Sequence, residues 1–117
     1  MASKYHDIAI EQGSTFYFTV NAKNRDGTIK DLTGYTAEMQ IRHDMESSEI
    51  LVDASTTNGL ITIIGVQGQV NIIIPGATTA GYDWHNGVYD LKVDNGAADV
   101  VQLVHGNVAL NKQVTRS

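Results

Sequence analysis

The 117-residue sequence contains no cysteine, which excludes disulfides and cysteine-based zinc or iron–sulfur sites. Aromatic residues make up only 7% of the chain, and there is a single proline. Eight Lys and Arg residues, scattered singly, are outnumbered by thirteen Asp and Glu residues, so the net charge is −5. A chain of this charge lacks the basic patch that binds nucleic acids or anionic membranes, and we expect neither as a partner.

Long apolar stretches are also missing. Runs such as residues 72–74 are far shorter than the roughly 20 residues that cross a bilayer. The first seven residues are polar and lack the apolar segment of a secretory signal peptide, so we expect synthesis and folding in a cytosol. The length and the 42% hydrophobic content predict one folded domain over residues 1–117.

What the sequence does contain is β-branched residues. There are eleven Ile, eleven Val and eleven Thr residues, against six Leu. Branching at Cβ suits a pleated sheet better than a helix. Apolar and polar residues also alternate with a period of two, which predicts half-buried strands. The alternating windows are residues 16–22, 35–42, 61–64, 70–74 and 89–94. Their inward positions predict a core that includes Phe18, Met39, Ile41, Ile72 and Leu91.

Turn-forming dipeptides separate these windows. They are Asp26-Gly27, Asn58-Gly59, Asn86-Gly87 and Asn95-Gly96, and Gly65 and Gly68 bracket a further hairpin connection. Roughly seven to nine short strands of this kind predict an all-β fold, a two-sheet antiparallel β-sandwich without a disulfide.

The same patterns also predict local features of the fold. A final hairpin pairs residues 88–94 with 100–104, a short strand covers residues 50–52, and one helical turn lies within residues 77–84. A β-bulge is expected at residues 105–107, where a glycine interrupts the alternation. Residues 1–7 and 112–117 have few apolar groups and are expected to be mobile tails.

No catalytic or metal-binding pattern is present in the sequence. The histidines stand apart, without a ligand spacing such as His-x-His, at positions His6, His43, His85 and His105. There is no Gly-x-Ser-x-Gly nucleophile motif, and the glycines at 65 and 68 lack the Lys of a phosphate-binding loop. We therefore predict a non-enzyme with no catalytic, cofactor or metal residue. A stoichiometric ion held by His43, Asp44 or Asp83 would contradict this prediction.

One aromatic cluster suggests a ligand. Trp84 with Tyr82 and Tyr89 could form an exposed platform for a sugar, with acidic loops available to bind a bridging calcium ion. The alternative is that Tyr89 belongs to the core and Trp84 closes one end of the sandwich. Exposure of Trp84 beside carboxylates would favour carbohydrate binding, and its burial would favour a packing role.

A set of motifs spread over residues 10–116 resembles a known family. They are Gln12-Gly13-Ser14-Thr15, Asp26-Gly27, residues 31–42 (Asp-Leu-Thr-Gly-Tyr-Thr-Ala-Glu-Met-Gln-Ile-Arg), Gly87-Val88-Tyr89-Asp90-Leu91, Val104-His105-Gly106-Asn107-Val108 and Val114-Thr115-Arg116. The sequence is similar to small structural proteins of tailed bacteriophages that carry an Ig-like β-sandwich, including the N-terminal domains of baseplate upper proteins. It departs from them at residues 84–86, where relatives more often have an apolar-Pro-Ala approach to the glycine.

This resemblance implies a non-enzymatic component of the virion. The implied role is a tail, collar or baseplate adaptor on which fibres or spikes are mounted, with other phage structural proteins as partners in a symmetric assembly. A head-decoration protein is the alternative within this class, and a carbohydrate-binding module is the alternative outside it. The residues themselves explain the central motif as a fold signature, since Asp31 can cap a turn and Gly34 permits a backbone kink before the strand.

Overall fold

The computed structural model describes residues 3–114, which form nine strands and two short helical turns. The strands are β1 (Lys4–Tyr5), β2 (Ile8–Glu11), β3 (Phe16–Asn21), β4 (Thr36–Arg42), β5 (Val52–Ser55), β6 (Ile61–Ile64), β7 (Gln69–Ile74), β8 (Asn86–Asp94) and β9 (Val100–Asn111). A 3-10 turn (Gly65–Gln67) joins β6 to β7, and α1 (Gly76–Thr79) follows β7. No helix in this range is long or apolar enough to cross a membrane.

The strands form two sheets that pack face to face. The larger sheet has the order β1-β9-β8-β4-β5, with β2 also beside β9, and the smaller sheet has the order β3-β7-β6. The predicted two-sheet sandwich without a disulfide is therefore confirmed. Pairing is antiparallel except at one edge, where β1 and β2 both run parallel to β9.

The core lies between the inward faces of the two sheets. Met39, Ile41, Ile72 and Leu91 are fully buried, as the alternation predicts. Phe18 also faces inward but is only partly buried, because β3 is an edge strand of the smaller sheet. The inward set was thus predicted correctly, whereas the depth of burial at the edge was not.

The turn before β4 has the predicted construction. The Asp31 carboxylate accepts hydrogen bonds from the Thr33 amide at 2.9 Å and from the Thr33 hydroxyl at 2.6 Å. Gly34 has a φ of +83°, a conformation that other residues rarely adopt. Leu32, between them, is fully buried. This capped turn fixes where β4 begins.

Most of the finer local predictions are confirmed, and three are wrong. Asn86-Gly87, expected to form a tight turn, instead begins β8, and Gly87 does not have a positive φ. The Gly65–Gly68 hairpin connection, the helical turn and the β8–β9 hairpin are present. The strand expected at residues 50–52 instead runs over Val52–Ser55. The predicted bulge at residues 105–107 lies earlier, opposite the step from Leu91 to Lys92, so that β9 continues unbroken through Gly106.

Gly106 has a different role from the predicted bulge. A Cβ at this position would lie 2.3 Å from the carbonyl oxygen of His6, which is closer than atoms can approach. The glycine therefore allows the N-terminal segment to lie directly against β9. Close backbone approach is the second common reason for glycine in a strand.

The N-terminal segment is bound to the sheet from Lys4 onward, which corrects the predicted boundary of the tail at residue 7. Lys4 and Tyr5 pair with β9, and the His6 amide donates to the carbonyl of His105 at 2.8 Å. The Asn107 amide donates to the Asp7 carboxylate at 2.9 Å. Polar contacts, rather than apolar burial, hold these residues. In the other predicted tail, residues 112–114 follow the end of β9, and the Gln113 amide donates to the Gln12 side chain at 3.1 Å. Residues 1–2 and 115–117, which include two residues of the closing Val-Thr-Arg motif, lie outside the described range.

Candidate functional site

The side chains of the four histidines make separate contacts, although His6 and His105 are joined through their main chains. His6 stacks on Phe18 with ring centroids 5.8 Å apart. The Ser3 hydroxyl and the Nδ1 atom of His105 are hydrogen-bonded at 2.7 Å. His43 lies 3.6 Å from Glu49, and His85 is exposed. Within residues 3–114, no three His, Asp or Glu side chains are grouped closely enough to hold a metal ion.

The acidic residues singled out beside the histidines also lie at the surface. Asp44 accepts a hydrogen bond from the Glu46 amide at 2.9 Å, which stabilises its own loop. Asp83 is exposed in the connection after α1. The structure therefore does not bring His43, Asp44 and Asp83 into one site.

The aromatic cluster is part of the core. Trp84 is 5% exposed and Tyr89 is 4% exposed, and the rings of Tyr82 and Trp84 lie 5.6 Å apart. The Trp84 indole N–H is buried and has no hydrogen-bond partner among the described residues. With its ring inside the sandwich, Trp84 does not provide an exposed stacking platform for a sugar.

The outer surface of the larger sheet carries charge of both signs. This charged face consists of Glu38, Gln40, Arg42, Asp90, Lys92, Gln102 and His105, and it borders an open depression of about 860 Å³. Its groups bind one another: Arg42 donates to Gln40 at 2.9 Å, and Gln102 donates to Asp90 at 3.0 Å. A hydrogen bond with Asp53 raises the pKa of Glu38, with burial and the Asp53 charge adding to the effect.

The outer surface of the smaller sheet is different, because its strands contain no charged residue. This neutral face consists of Tyr17, Thr19, Asn21, Thr62, Ile64, Gln69, Asn71 and Ile73. Thr19 donates to Asn71 at 2.8 Å, and Asn71 donates to Gln69 at 3.1 Å. Tyr17 and Ile73 stand opposite each other on adjacent strands and are 71% and 46% exposed. Such a face can pack against a partner without desolvating a charge.

An open groove separates β3 from the N-terminal segment. This edge groove has a volume of about 460 Å³, and its floor is apolar. It is lined by Lys4, His6, residues 18–23, Leu103 and Val104. No sequence pattern indicates this groove, because it forms only where β1 pairs with β9 rather than with β3.

A polar network fixes the N-terminal segment beside this groove. The Tyr5 hydroxyl accepts from the Asn107 side chain at 2.7 Å, and the Tyr89 hydroxyl donates to the carbonyl of His6. Hydrogen bonds from the Asn107 amide and from Tyr5 lower the pKa of Asp7, while burial raises the pKa of Tyr89. The network holds in place the N-terminal segment that forms one wall of the groove.

A second polar cluster closes the other end of the sandwich. The Asp99 carboxylate accepts a hydrogen bond from the Tyr35 hydroxyl and lies 3.2 Å from the Lys30 ammonium. These two contacts, with Tyr35 contributing most, lower the pKa of Asp99. The Lys30 ammonium also lies 5.6 Å from the centre of the Tyr35 ring. Every group in the cluster is satisfied internally, which is typical of a structural contact.

Comparison with known proteins places the chain by its fold only. No protein-family model and no curated protein matches the sequence. Among solved structures, the extracellular domains of the voltage-gated sodium channel beta4 subunit, which form parallel homodimers in cell–cell adhesion, share 13% identity over 97% of both chains, with a TM-score of 0.51. A chicken TCR shares 9% identity over 98% of this chain and 56% of its own, with a TM-score of 0.54. The protein therefore has an Ig-like β-sandwich fold.

Proposed function

We propose that this protein is a non-enzymatic structural component of a tailed-phage virion, acting as an adaptor in the tail, collar or baseplate. The observation that carries the proposal is the motif at residues 31–42, which resembles that of small phage structural proteins. In the structure this motif is one continuous unit, the Asp31-capped turn followed by β4. Two of the other motifs lie in β8 and β9 of the same sheet, and those at residues 12–15 and 26–27 lie in connections between strands.

Two features of the surface support a role in assembly. The neutral face and the edge groove are available for packing, whereas the polar groups elsewhere mostly bind one another. The Ig-like neighbour from the sodium channel forms homodimers, so a sandwich of this kind can self-associate. In a virion, repeated copies would dock on symmetric neighbours. The burial of Trp84 removes the feature that would have favoured a carbohydrate-binding module.

The experiment is mass spectrometry of purified particles of the phage that encodes this chain, followed by immunogold labelling. We expect the protein in intact virions at a copy number comparable to other minor structural proteins, with gold at the tail, collar or baseplate. Gold over the head would instead identify a decoration protein. Absence from particles, with the protein present in the infected-cell lysate as a control for expression, would refute the virion role.

A further inference from the structure

β3 is an edge strand of the smaller sheet, and it lacks the features that usually prevent an edge strand from pairing with a further strand. Within residues 3–114, β3 pairs only with β7, and its six residues include no charge and no proline. Natural edge strands are normally blocked by a charge, a proline, a bulge or a covering segment. An unblocked edge can bind another strand through its main-chain groups.

The β5 edge of the larger sheet shows what a blocked edge looks like in this protein. The Asn58 side chain folds back on β5, accepting from the Ser55 amide at 3.0 Å and donating to the carbonyl of Asp53 at 2.8 Å. These are the groups that an incoming strand would need. No side chain in the described part of the chain does the same for β3.

The register of β3 identifies the main-chain groups that are free. Ala22 donates to the carbonyl of Gly68, and residues of an antiparallel pair alternate between facing the partner and facing away. Phe16, Phe18 and Val20 therefore bond to β7, while the amides and carbonyls of Tyr17, Thr19 and Asn21 point to the open edge. These three residues are enough to pair with a short strand.

The edge groove runs beside these free groups and determines which strand would fit. Its floor is apolar, formed by Phe18, Val20 and Leu103, so the inward side chains of an added strand would be apolar. Its charged lining is Lys4 and Lys23, with no acidic residue, although the whole chain has a net charge of −5. Neither lysine has a carboxylate within 4.0 Å in the described range.

We propose that the β3 edge and its groove bind an extended segment of another protein, in which apolar residues alternate with polar ones and Asp or Glu residues stand at the end. The segment adds a fourth strand to the smaller sheet, and its carboxylates face Lys4 and Lys23. This proposal rests on the proposed function in one respect, the origin of the segment, which would belong to another protein of the assembly. Binding at β3 and presence in virions are measured separately, so either can fail alone.

The test uses a blocked peptide, acetyl-Glu-Val-Thr-Val-Thr-Val-Glu-amide, titrated into the full chain and followed by NMR. The peptide has Glu at both ends so that its carboxylates can face Lys4 and Lys23 whether it pairs with β3 in the parallel or the antiparallel direction. We expect binding at about millimolar peptide, and slower exchange of the Tyr17, Thr19 and Asn21 amides. A peptide in which Lys replaces both Glu residues should bind roughly fivefold more weakly, because two exposed ion pairs are lost. No binding, or equal binding of the two peptides, overturns the proposal.

Three variants of the chain locate the site. Thr19→Pro removes an edge amide and should abolish binding, whereas Thr19→Ala keeps that amide and should bind normally. The double variant Lys4→Glu, Lys23→Glu should prefer the Lys-ended peptide, which tests the site even if Thr19→Pro does not fold. Lys92→Glu, on the charged face, is the matched control and should change nothing.

A second copy of the chain is the competing occupant of this edge. Analytical ultracentrifugation of the purified protein distinguishes the two cases. We expect a monomer whose sedimentation does not depend on concentration. A dimer that Thr19→Pro abolishes and Thr19→Ala preserves would assign the edge to self-pairing and overturn the proposal of a heterologous segment.

Discussion

Met39 and Gln40 are neighbours in β4 whose side chains lie on opposite faces of the larger sheet. Met39 is fully buried, and Gln40 belongs to the charged face. Met39→Ala should lower the free energy of unfolding by about 2–5 kcal/mol, because it leaves a cavity in the core. Gln40→Ala should change it by about 0.5 kcal/mol or less. Urea denaturation measures both, and equal losses would mean that the side chains of β4 are assigned to the wrong faces.

Glu38, one residue further back, provides a pH-dependent prediction. Its pKa is raised from the ordinary value of 4.5 by the contact with Asp53, so its contribution to stability is present below that value and is lost as pH rises through the higher folded value. The ionised carboxylate therefore destabilises the neutral-pH fold. Glu38→Gln should raise the free energy of unfolding at pH 7 by about 0.5 kcal/mol, a size limited by solvent screening.

A comparison at acid pH and a control variant distinguish this effect from a general loss of negative charge. At about pH 3, where the carboxyl is protonated in both states, Glu38→Gln and the unmodified chain should be equally stable. Glu46→Gln, in the exposed loop before β5, removes the same charge away from Asp53 and serves as the control. A stabilisation by Glu38→Gln that persists at acid pH would contradict the carboxylate-pair explanation.

At the scale of elements, Gly34 shapes the turn before β4, and Gly106 allows the N-terminal segment to lie against β9. Gly34 has a positive φ with open space around its Cβ position, so Gly34→Ala should cost about 1–2 kcal/mol for the backbone conformation alone. At Gly106 the cost is a clash with the carbonyl of His6. Gly106→Ala should therefore displace the N-terminal segment and remove exchange protection from the His6 amide, which donates to His105.

Hydrogen exchange of the His6 amide separates the two variants. Gly34→Ala should reduce global stability while leaving the His6 amide protected locally. Gly106→Ala should expose that amide at low denaturant while the core amides of β4 and β8 stay protected. Retained protection of the His6 amide in Gly106→Ala would mean that the segment is not held by its close approach to β9.

The same strands show which parts of the fold can be predicted from the sequence. Period-two alternation predicted β3, β4, β6, β7 and β8 and the inward face of β4, since the pleat is a local property of the chain. It did not indicate β1 or β2. It did not predict that β3 lies at an edge, where Phe18 is only partly buried, because sheet order depends on contacts between distant residues. The polar composition of residues 4–7 predicts a tail, yet hydrogen bonds hold these residues against β9.

At the scale of the whole molecule, the two sheets divide the surface chemistry. The charged face covers the larger sheet, and the neutral face covers the smaller one. The sequence shows which residues point outward, but not which strands share a sheet. Both the neutral face and the edge groove were therefore beyond sequence-based prediction. The lack of charge on β3, β6 and β7 becomes informative only once they are known to be neighbours.

The parallel pairing of β2 with β9 also has a mechanical consequence. Lys4 lies beside Val104 and Glu11 beside Asn111, so the chain enters at one end of this edge and leaves at the other, about 20 Å away. Tension between the two ends would pull adjacent strands in opposite directions along their length. The hydrogen bonds between them would then be loaded together, in shear, and would not open one after another. Force applied along these strands would therefore be resisted by several main-chain hydrogen bonds at once.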